Sequence, residues 1–358
     1  MSIDWPRIYI CKLTLNKKIY FIRSSSTKYG GAENYLQRLS NSLKKEKLDH
    51  EIINSQIPKF IPSWLRALLF NMQLCLTKKD KFYFSLDRIT CPDIYRAGDG
   101  VHKVFISIEK KSKFNLLHPV YLYLERNCFN HSKYIIANSN MIKKQIIDTY
   151  DINFQKIKVI YNGIDLKNHN YTKSFKKLSQ EFFIKEGQPV LLYVGSGFKR
   201  KGVTEFLKIF SELKTKDVRA FIIGNDKNIK YYKNLSIELK INNRVTFTGA
   251  RLDVDDFYTI SDIFLFPTHY DPFSNVVLEA MNFNNAVFTT ISNGASEILD
   301  KDFIMNHPYD DKVISSIDNL LADKSSLKEV KIKNKKVSQL FSIQNNLNKT
   351  LDVINLIE

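Results

Sequence analysis

Two carboxylates near the C-terminal end of the chain have the types and spacing of a pair that binds sugar hydroxyls. Asp271 lies in a polar loop, and Glu279 follows eight positions later in a helix-forming stretch. The loop comes directly after the apolar run Ile263–Phe266, which is typical of a buried parallel strand. Carboxylates are good acceptors for the vicinal hydroxyls of neutral sugars. A helix N-cap aspartate with a solvent-facing glutamate is the simpler interpretation, and this stretch alone leaves both open.

Backbone groups between these two carboxylates are predicted to meet the same ligand. Phe273, Ser274 and Asn275 stand where the loop turns into the helix. The first turn of a helix presents unbonded N–H groups and the positive end of the helix dipole. In an α/β sheet, ligands bind at the carboxyl ends of the strands. We therefore expect these three amides to point into a cleft.

A second loop carries cations. Gly195–Gly202 follows the apolar run Val190–Val194 and contains Arg200 and Lys201. Arginine supplies a planar fork of donors and lysine a point charge, and together they suit a diphosphate without a metal ion. The loop lacks the G-x-x-x-x-G-K-[ST] pattern of a P-loop. Gly195, which opens the loop, belongs to the same candidate set.

One pair of acids has the spacing of a metal site. Asp253 and Asp255 form a D-x-D pattern that can hold a metal ion on nucleotide phosphates. The same acids precede the helix-forming run Phe257–Ile260, where they would act as N-terminal capping residues. The capping interpretation is preferred, so no metal is expected. No cofactor is expected either, because the Gly30–Gly31 loop is not a G-x-G-x-x-G dinucleotide motif.

Two glycine-containing loops in the first half also follow predicted strands. Gly30 and Gly31 lie between a strand and a helix, where small residues let the backbone approach a phosphate. The other loop carries Asp99 between two glycines, with His102 just beyond. Polar, glycine-rich loops after a strand often belong to binding sites. A tight turn without a ligand and a structural histidine are the simpler alternatives.

Strands and helices alternate through the chain, and the alternation restarts in its second half. The Asn-Gly turn at Asn162–Gly163 and the polar stretch 166–180 mark the boundary. This pattern predicts an α/β protein with two domains, 1–168 and 169–340. A C-terminal helix is predicted at 341–358, and this helix could cross back to the first domain.

The charge of the chain is uneven. Its 54 basic and 37 acidic residues divide into 28 and 14 over residues 1–168, and 26 and 23 over 169–358. A lysine-rich proteome explains the lysine content but not this asymmetry, which predicts an anionic partner for the first half. The candidates are nucleic acid, an anionic membrane surface and a phosphorylated acceptor. Nucleic acid is disfavoured, because the lysines form no recognition motif and aromatic residues do not interleave with them.

Binding to a membrane surface is predicted without a membrane span. No apolar run reaches the roughly 18 residues that a spanning helix needs, and the N-terminus lacks the apolar segment of a secretory signal. We expect a cytoplasmic protein bound peripherally to the inner face of the membrane, with Phe105 or Trp64 at the interface. The lysines expected to contact anionic lipid are Lys103, Lys110, Lys111 and Lys113.

Cysteine spacing gives a second indication of the compartment. The four cysteines show neither metal-site nor disulfide spacing, which favours a reducing cytoplasm. They are Cys11, Cys75, Cys91 and Cys128.

The order of these motifs resembles glycosyltransferase family 4. It runs from the Gly-Gly loop through the Asn-Gly-Ile-Asp linker, the Gly-Ser-x-Phe-x-Arg-Lys-Gly loop and the V-x-F-x-G strand to the acid-x7-Glu helix. The resemblance covers about Ile19 to Thr290, and segments 95–102 and 198–202 look most like the lipopolysaccharide-core glucosyltransferases. It implies the GT-B fold, in which two Rossmann-like, doubly wound domains face each other across a cleft.

The resemblance also implies roles. Arg200 and Lys201 match the basic pair on the donor diphosphate, and Glu279 matches the acid on the nucleotide ribose. Asp271 matches the first acid of an E-x7-E pair that contacts the donor sugar, and here it is one methylene shorter. The implied catalytic residues are Arg200, Lys201, Asp271, His102 and Asp99. The implied substrate-binding residues are Gly30, Gly31, Gly195, Phe273, Ser274, Asn275 and Glu279.

The function implied by this resemblance is retaining, metal-independent transfer of a hexose, with glucose expected. The donor would be a nucleotide diphosphate sugar such as UDP-glucose, and the acceptor a lipopolysaccharide core or another lipid-linked or phosphorylated cell-surface glycan. The aspartate at position 271 keeps an alternative open, in which the chain binds a nucleotide sugar or an anionic lipid without turnover.

Overall fold

The computed structural model describes residues 18–25, 31–109 and 115–357. The strands of its first unit are β1 (Ile19–Ile22), β2 (His50–Ile53), β3 (Phe82–Ser85), β4 (Ile94–Arg96), β5 (Tyr134–Ala137) and β6 (Ile157–Val159). They form one parallel sheet in the order β2-β1-β3-β4-β5-β6. The helices between them are α1 (Gly31–Lys45), α2 (Ser63–Thr77), α3 (His102–Glu109), α4 (Leu117–His131) and α5 (Asn140–Tyr150).

The second unit repeats this plan. Its strands are β7 (Val190–Val194), β8 (Arg219–Ile223), β9 (Val245–Gly249), β10 (Ile263–Phe266), β11 (Ala286–Thr290) and β12 (Ile304–Met305), in the parallel order β12-β11-β10-β7-β8-β9. Its helices are α6 (Tyr171–Phe182), α7 (Phe198–Lys201), α8 (Val203–Glu212), α9 (Ile229–Glu238), α10 (Val254–Ile260), α11 (Asn275–Asn282), α12 (Asp311–Ala322) and α13 (Lys324–Ser338). The last helix of the chain is α14 (Ile343–Asn355).

The apolar runs of the sequence form the middle of each sheet. Every residue of β10 is buried, and this strand pairs with β7 on one side and β11 on the other. Strands that helices cover on both faces need such continuous apolar runs. The expected α/β fold with two doubly wound, Rossmann-like units is confirmed.

The order of the strands shows where each sheet can bind a ligand. Strand order reverses between β1 and β3 in the first sheet and between β7 and β10 in the second. Connections leave such a point toward opposite faces, so a crevice opens at the carboxyl ends of its strands. The loops after β1, β7 and β10 are the ones in which the sequence places glycines, cations and carboxylates.

The last helix, α14, packs on the first unit although it follows the second. Leu347, Leu351 and Ile354 belong to the same buried cluster as Leu39 of α1. The Tyr35 hydroxyl donates to Asn346 Oδ1 at 3.0 Å. The chain thus joins its two units twice, once through the linker after β6 and once through α14.

A disulfide corrects the interpretation of the cysteines. Cys75 of α2 and Cys91, in the loop after β3, are bonded with their Cα atoms 5.7 Å apart. The two residues are 16 apart in sequence, and only the packing of α2 against this loop brings them together. The inference of a reducing compartment rested on the absence of disulfide spacing and loses that support. Cys128 is a free, buried thiol, and Cys11 lies outside the described residues.

The segment expected to contact a membrane is only partly described. Among the described residues, no helix is long and apolar enough to cross a membrane. Lys103 is exposed on α3, whereas Lys110, Lys111 and Lys113 lie outside the described residues. The half-buried Phe105 ring stacks on His102 with centroids 6.1 Å apart and lines a cleft, and its contact with a membrane stays a prediction. Trp64 is half-buried in α2.

Candidate active site

A cleft of about 660 Å³ lies between the two units and is lined by loops from both. The second unit contributes the loop after β7 and the loop that joins β10 to α11. The first unit contributes the start of α1, the loop after β4 and the linker residue Asn162. The loops after β7 and β10 and the start of α1 lie at the points where strand order reverses, so the topology places the cleft where an α/β sheet binds ligands.

The loop after β7 is held in place by Gly202. This residue has φ +80°, and a Cβ there would lie 1.8 Å from the Pro267 carbonyl oxygen. Only glycine fits so close an approach in this conformation. The loop is fixed further because the Arg200 carbonyl accepts from the His269 N–H at 2.9 Å. The two second-unit loops are therefore locked together, and Arg200 and Lys201 enter the cleft beside the carboxylate loop.

The side chains of Arg200 and Lys201 are largely available to bind an anion. Arg200 donates to the Tyr270 carbonyl and lies 3.5 Å from Asp271. Lys201 forms no ion pair within the described part of the chain, and its Nζ lies 5.4 Å from the centroid of the Phe266 ring. Burial lowers the pKa of Lys201, and the nearby Asp271 carboxylate opposes that shift. Two half-buried cations, with a single carboxylate 3.5 Å from Arg200, suit a diphosphate.

Asp271 is 8% exposed and is fixed by its own loop. Its backbone N–H donates to the Ser292 carbonyl, and its carbonyl accepts from the Gly294 N–H. One carboxylate oxygen accepts from the Phe273 N–H at 3.3 Å. The second oxygen is the one that lies near Arg200. The carboxylate is thus held at the wall of the cleft, with a cation on one side and the open cavity on the other.

The expectation that three amides face the ligand is only partly met. The Phe273 N–H donates to Asp271, and the Ser274 N–H donates to Asn293 Oδ1 at 3.2 Å. Loop side chains therefore satisfy two of the three donors before any ligand binds. The amide of Asn275 has no acceptor in the described residues, and the buried Ser274 hydroxyl also lacks a partner. These two groups are the available donors.

Glu279 joins the two units. Its carboxylate accepts from Arg38 of α1 at 2.9 Å and from the Tyr258 hydroxyl at 3.4 Å. Arg38 also lies 3.4 Å from Asp165 of the linker. A ligand that binds Glu279 must therefore share or replace a partner from the opposite unit. Arg38 sits on an ordinary amphipathic helix, and its position in the sequence gives no signal of this contact.

A polar chain crosses the floor of the cleft. Arg96 stacks on Tyr35, with its guanidinium carbon 3.5 Å from the ring centroid, and donates to Asn162. Asn162 in turn donates to Asn275 Oδ1 at 2.7 Å. This chain ties β4 through the linker to the start of α11. The Asn-Gly turn in the sequence indicated a boundary but not this contact between the units.

Asp99 lies at the cleft, whereas His102 does not line it. Asp99 accepts from Arg23 at 3.1 Å. His102 is 8% exposed, and its Nε2 shares a hydrogen bond with His118 Nδ1 at 3.1 Å. Burial, followed by the charge of Arg88, lowers the pKa of His102 to about 4, so its ring is neutral at pH 7. The structure therefore favours the structural interpretation of this histidine.

The cleft brings most of the sequence-predicted residues together. Those that line it are Gly31, Asp99, Arg200, Lys201, Asp271, Phe273, Ser274, Asn275 and Glu279. A Cβ on Gly31 would meet nothing within 4 Å, so the space beside its backbone is open. Gly195 does not line the cleft, although its neighbour Ser196 does, and Gly30 lies outside the described residues. Sequence reasoning missed Arg38 and Arg96.

The acids with D-x-D spacing form ion pairs at the start of α10. Asp253 is paired with Arg251 at 2.8 Å and with Lys177, and Asp255 is paired with Lys167. The hydrogen bond from Arg251 is the main cause that lowers the pKa of Asp253. Asp253 occupies the N-cap position, but its side chain makes no capping hydrogen bond. Across the described ranges, no group of three or more His, Cys, Asp and Glu residues could hold a metal ion.

Two protein-family models match the chain. The model "Glycosyl transferases group 1" matches residues 174–337, and "Glycosyltransferase Family 4" matches residues 100–168. Together they cover well over half of the sequence, with one model on each side of the linker.

Curated relatives agree with these models. The lipopolysaccharide glucosyltransferase WaaG of Escherichia coli is 28% identical over 209 residues, which are 55% of each chain. A Campylobacter jejuni N-acetylgalactosaminyltransferase that acts on a diphospho-undecaprenol-linked saccharide is 24% identical over 90% of this chain and 82% of its own. For WaaG and for an uncharacterised Methanocaldococcus jannaschii glycosyltransferase, the match spans about half of the relative's length.

Solved structures extend the likeness to the whole fold. A crystal structure of WaaG, a glycosyltransferase involved in lipopolysaccharide biosynthesis, has a TM-score of 0.79 at 18% identity and covers 94% of this chain and 99% of its own. Anabaena Alr3699/HepE, in complex with UDP and glucose, has a TM-score of 0.73 at 18% identity over 95% and 99% of the two chains. The chain belongs to glycosyltransferase family 4 and has the GT-B fold.

Proposed function

We propose that the protein transfers a hexose, with retention of anomeric configuration, from a nucleotide diphosphate sugar to a cell-surface glycan. One observation carries the proposal. Arg200, Lys201, Asp271 and Glu279 converge on one wall of a cleft whose opposite wall belongs to the other unit. This arrangement supplies cations for a diphosphate and carboxylates for hydroxyl groups on the same side of a cavity of about 660 Å³, which is large enough for a nucleotide sugar.

The chemistry places developing negative charge beside the cationic loop. The bond between the anomeric carbon and the diphosphate oxygen breaks, and the acceptor hydroxyl oxygen attacks that carbon from the same face. The acceptor proton passes to the leaving phosphate oxygen, so atoms and charges balance without a base. Arg200 and Lys201 stabilise the charge on the leaving diphosphate. Their loop is locked by Gly202, so the donors are preorganised before the substrate arrives.

The carboxylates fix the rest of the donor. We assign Asp271 to the hydroxyls of the sugar and Glu279 to those of the ribose, because Asp271 lies beside Arg200 and Glu279 lies further from it, on the second turn of α11. Glucose from UDP-glucose is the donor that we propose. WaaG is a glucosyltransferase and HepE binds UDP with glucose, which supports this choice. A lipopolysaccharide core or another lipid-linked glycan is the proposed acceptor class, in line with the two curated relatives.

A peripheral position on an anionic membrane belongs to the same proposal. The first half carries 28 basic against 14 acidic residues, and a lipid-linked acceptor would hold the protein at the membrane surface. Binding to vesicles should require anionic lipid and weaken as salt rises. Equal binding to neutral and anionic vesicles would contradict electrostatic docking.

The test of the proposed reaction is turnover of a nucleotide-sugar panel with and without EDTA. We expect UDP release from UDP-glucose above that from UDP-galactose and the UDP-N-acetylhexosamines, an axial-linked product by NMR, and unchanged rates in EDTA. Affinity for UDP-glucose without hydrolysis or transfer, with a glycan extract supplied as acceptor, would instead identify a non-catalytic binding protein. Loss of activity in EDTA that magnesium restores would revive Asp253 and Asp255 as metal ligands.

A further inference from the structure

A second cavity, of about 580 Å³, lies in the first unit beside the cleft. We call it the α2 pocket, because the first turns of α2 form one wall. The end of β1, the loop after β3 and helix α4 form the others. Asp99 lines both the α2 pocket and the cleft, so the two cavities meet at this carboxylate. Asp99 is the one described residue that lines both cavities, and no residue of the α2 pocket has a role in the proposed reaction.

The inner end of the α2 pocket is electrically balanced. Arg23 contacts three carboxylates, those of Glu33 at 3.0 Å, Asp87 at 2.9 Å and Asp99 at 3.1 Å. Arg88 is paired at 2.8 Å with Glu125, whose side chain is completely buried. Inner cations and carboxylates thus satisfy one another. A ligand at this end therefore meets carboxylate oxygens, which accept hydrogen bonds from sugar hydroxyls.

The outer end carries positive charge without a counterion. Lys59 and Arg66 line this end, and neither forms an ion pair within the described ranges of the chain. The Arg66 Nε is buried and has no hydrogen-bond acceptor. A buried guanidinium N–H without an acceptor costs free energy, which an anionic ligand would recover. The first turn of α2 contains no acidic residue that could serve as a counterion for Lys59 or Arg66.

Between the two ends, the walls suit a sugar ring. Phe70, Ile89, Leu124 and the aromatic Tyr121 line the pocket. Two residues that carry hydroxyl groups, Ser24 and Ser55, line it as well. A saccharide presents C–H groups on its ring faces and hydroxyls at its rim, so mixed apolar and hydroxyl walls match it.

We propose that the α2 pocket binds the acceptor saccharide through an anionic substituent, a phosphate or a carboxylate, held by Lys59 and Arg66. The hydroxyl to be glycosylated then points past Asp99 into the cleft. That this saccharide is an acceptor rests on the proposed function, whereas anion binding by Lys59 and Arg66 does not. A neutral acceptor would leave both cations without a counterion.

The test measures binding of three monosaccharide probes to the full-length protein by titration calorimetry. Glucose 6-phosphate, glucuronate and glucose are compared at saturating UDP, because UDP blocks anion binding at Arg200 and Lys201. We expect glucose 6-phosphate to bind at least tenfold more tightly than glucose. The double variant Lys59→Gln/Arg66→Gln should abolish this difference. Glucuronate as tight as glucose 6-phosphate indicates a carboxylate-bearing acceptor, and weaker binding indicates a phosphorylated one.

Matched variants distinguish binding at this site from a general effect of the protein's net charge. Lys44→Gln/Arg126→Gln makes the same charge change at exposed positions of the first unit and should keep the tenfold difference. Lys59→Arg/Arg66→Lys preserves both charges and should also keep it. Equal affinities for glucose and glucose 6-phosphate in the wild type, or an unchanged ratio in Lys59→Gln/Arg66→Gln, would overturn the proposal.

Two further measurements distinguish failure of the proposed function from failure of the proposed anion site. UDP affinity in the absence of sugar should be the same in wild type and Lys59→Gln/Arg66→Gln. One outcome is that UDP does not bind the wild type, so that the probes must be compared without UDP. If glucose 6-phosphate then still binds more tightly than glucose, and Lys59→Gln/Arg66→Gln abolishes this difference, the proposed function fails and the anion site stands. If the double variant loses binding to anionic vesicles but keeps the probe difference, the two cations serve a lipid headgroup and the proposal is wrong.

Discussion

The two walls of the cleft use their charges differently. On the first-unit side, Arg38 contacts two carboxylates, and Arg23, which is paired with the cleft residue Asp99, contacts three, so these cations are largely neutralised by the protein itself. On the second-unit side, Lys201 has no carboxylate within ion-pair distance in the described residues, and Arg200 has only Asp271, at 3.5 Å. The first unit is nevertheless the more basic in sequence, with 28 basic against 14 acidic residues over 1–168.

This difference shows that the net charge of a segment does not locate its anion site. A cation that is already paired adds little attraction for a ligand, because the ligand must replace an existing partner. The second unit places two cations in a cavity and leaves them nearly unpaired. We therefore expect its wall to bind anions more strongly than its nearly balanced composition of 26 basic and 23 acidic residues suggests.

The largest effect should come from the unpaired cations. We expect Arg200→Ala or Lys201→Ala to reduce transfer from UDP-glucose by a factor of about 100 or more, since each is a preorganised donor to developing charge. The measurement is kcat/KM for product formation. Lys199→Ala is the matched control, because Lys199 lies in the same short helix, is exposed and does not line the cleft. Near-normal rates in both cleft variants would place the diphosphate elsewhere.

A second, smaller effect should separate the two carboxylates of the same wall. Glu279→Gln should weaken UDP binding by about 1–3 kcal/mol, the range for a hydrogen bond to a charged group. Asp271→Asn should leave UDP affinity nearly unchanged and lower turnover and sugar selectivity, because its proposed contact is with the donor sugar. Calorimetry with UDP and initial rates with UDP-glucose measure the two quantities. Equal UDP affinity in wild type and Glu279→Gln would disprove the ribose assignment.

The second-unit wall was largely predictable from sequence, and the first-unit wall was not. Arg200 and Asp271 lie in loops directly after apolar strands, so local pattern and strand topology suffice to place them in a cleft. Arg38 and Arg96 lie on an ordinary helix and at a strand end, and only the packing of one unit against the other gives them partners. The Cys75–Cys91 disulfide is the same kind of case, because its residues meet through tertiary packing.

At two places the sequence indicated a site residue but not its surroundings. His102 stands in a glycine-rich polar segment, and its ring is buried against Phe105 and His118. The amides of Phe273 and Ser274 were expected to point into a cleft, and Asp271 and Asn293 accept hydrogen bonds from them. Composition and spacing identify the loop, whereas hydrogen-bond partners depend on side-chain positions that only the folded chain defines.

Two histidines near the cleft, His102 of the first unit and His269 of the second, should respond to pH in opposite directions. Burial and Arg88 lower the pKa of His102 to about 4, so the unfolded chain, with a pKa of about 6.5, binds more protons between these values. Stability is then complete above about pH 6.5 and falls as the pH falls toward 4. Between pH 7.5 and 5, wild type should lose about 2 kcal/mol more than His102→Gln.

His269 is the matched control for this prediction. A hydrogen bond to Glu205 raises the pKa of His269, so its contribution to stability is present at low pH and is lost as the pH rises through the folded value. His269→Gln should therefore steepen, not flatten, the loss of stability at low pH. Urea unfolding of the three proteins at both pH values is the measurement. Parallel pH dependence in wild type and His102→Gln would show that His102 does not titrate differently on folding.

The smallest effect concerns the ion pair that joins the walls. Arg38 holds Glu279 at 2.9 Å, so a nucleotide whose ribose binds Glu279 competes with a side chain of the opposite unit. Arg38→Met removes this competitor, and UDP affinity should rise by about 0.5–1 kcal/mol, the upper range for a partly exposed ion pair. Asp165→Asn is the control, because it removes the weaker partner of Arg38 at 3.4 Å and leaves the contact with Glu279 intact. Weaker UDP binding in Arg38→Met would reverse the interpretation, since Arg38 would then contact the nucleotide itself, and the first-unit wall would contribute a cation to the donor site after all.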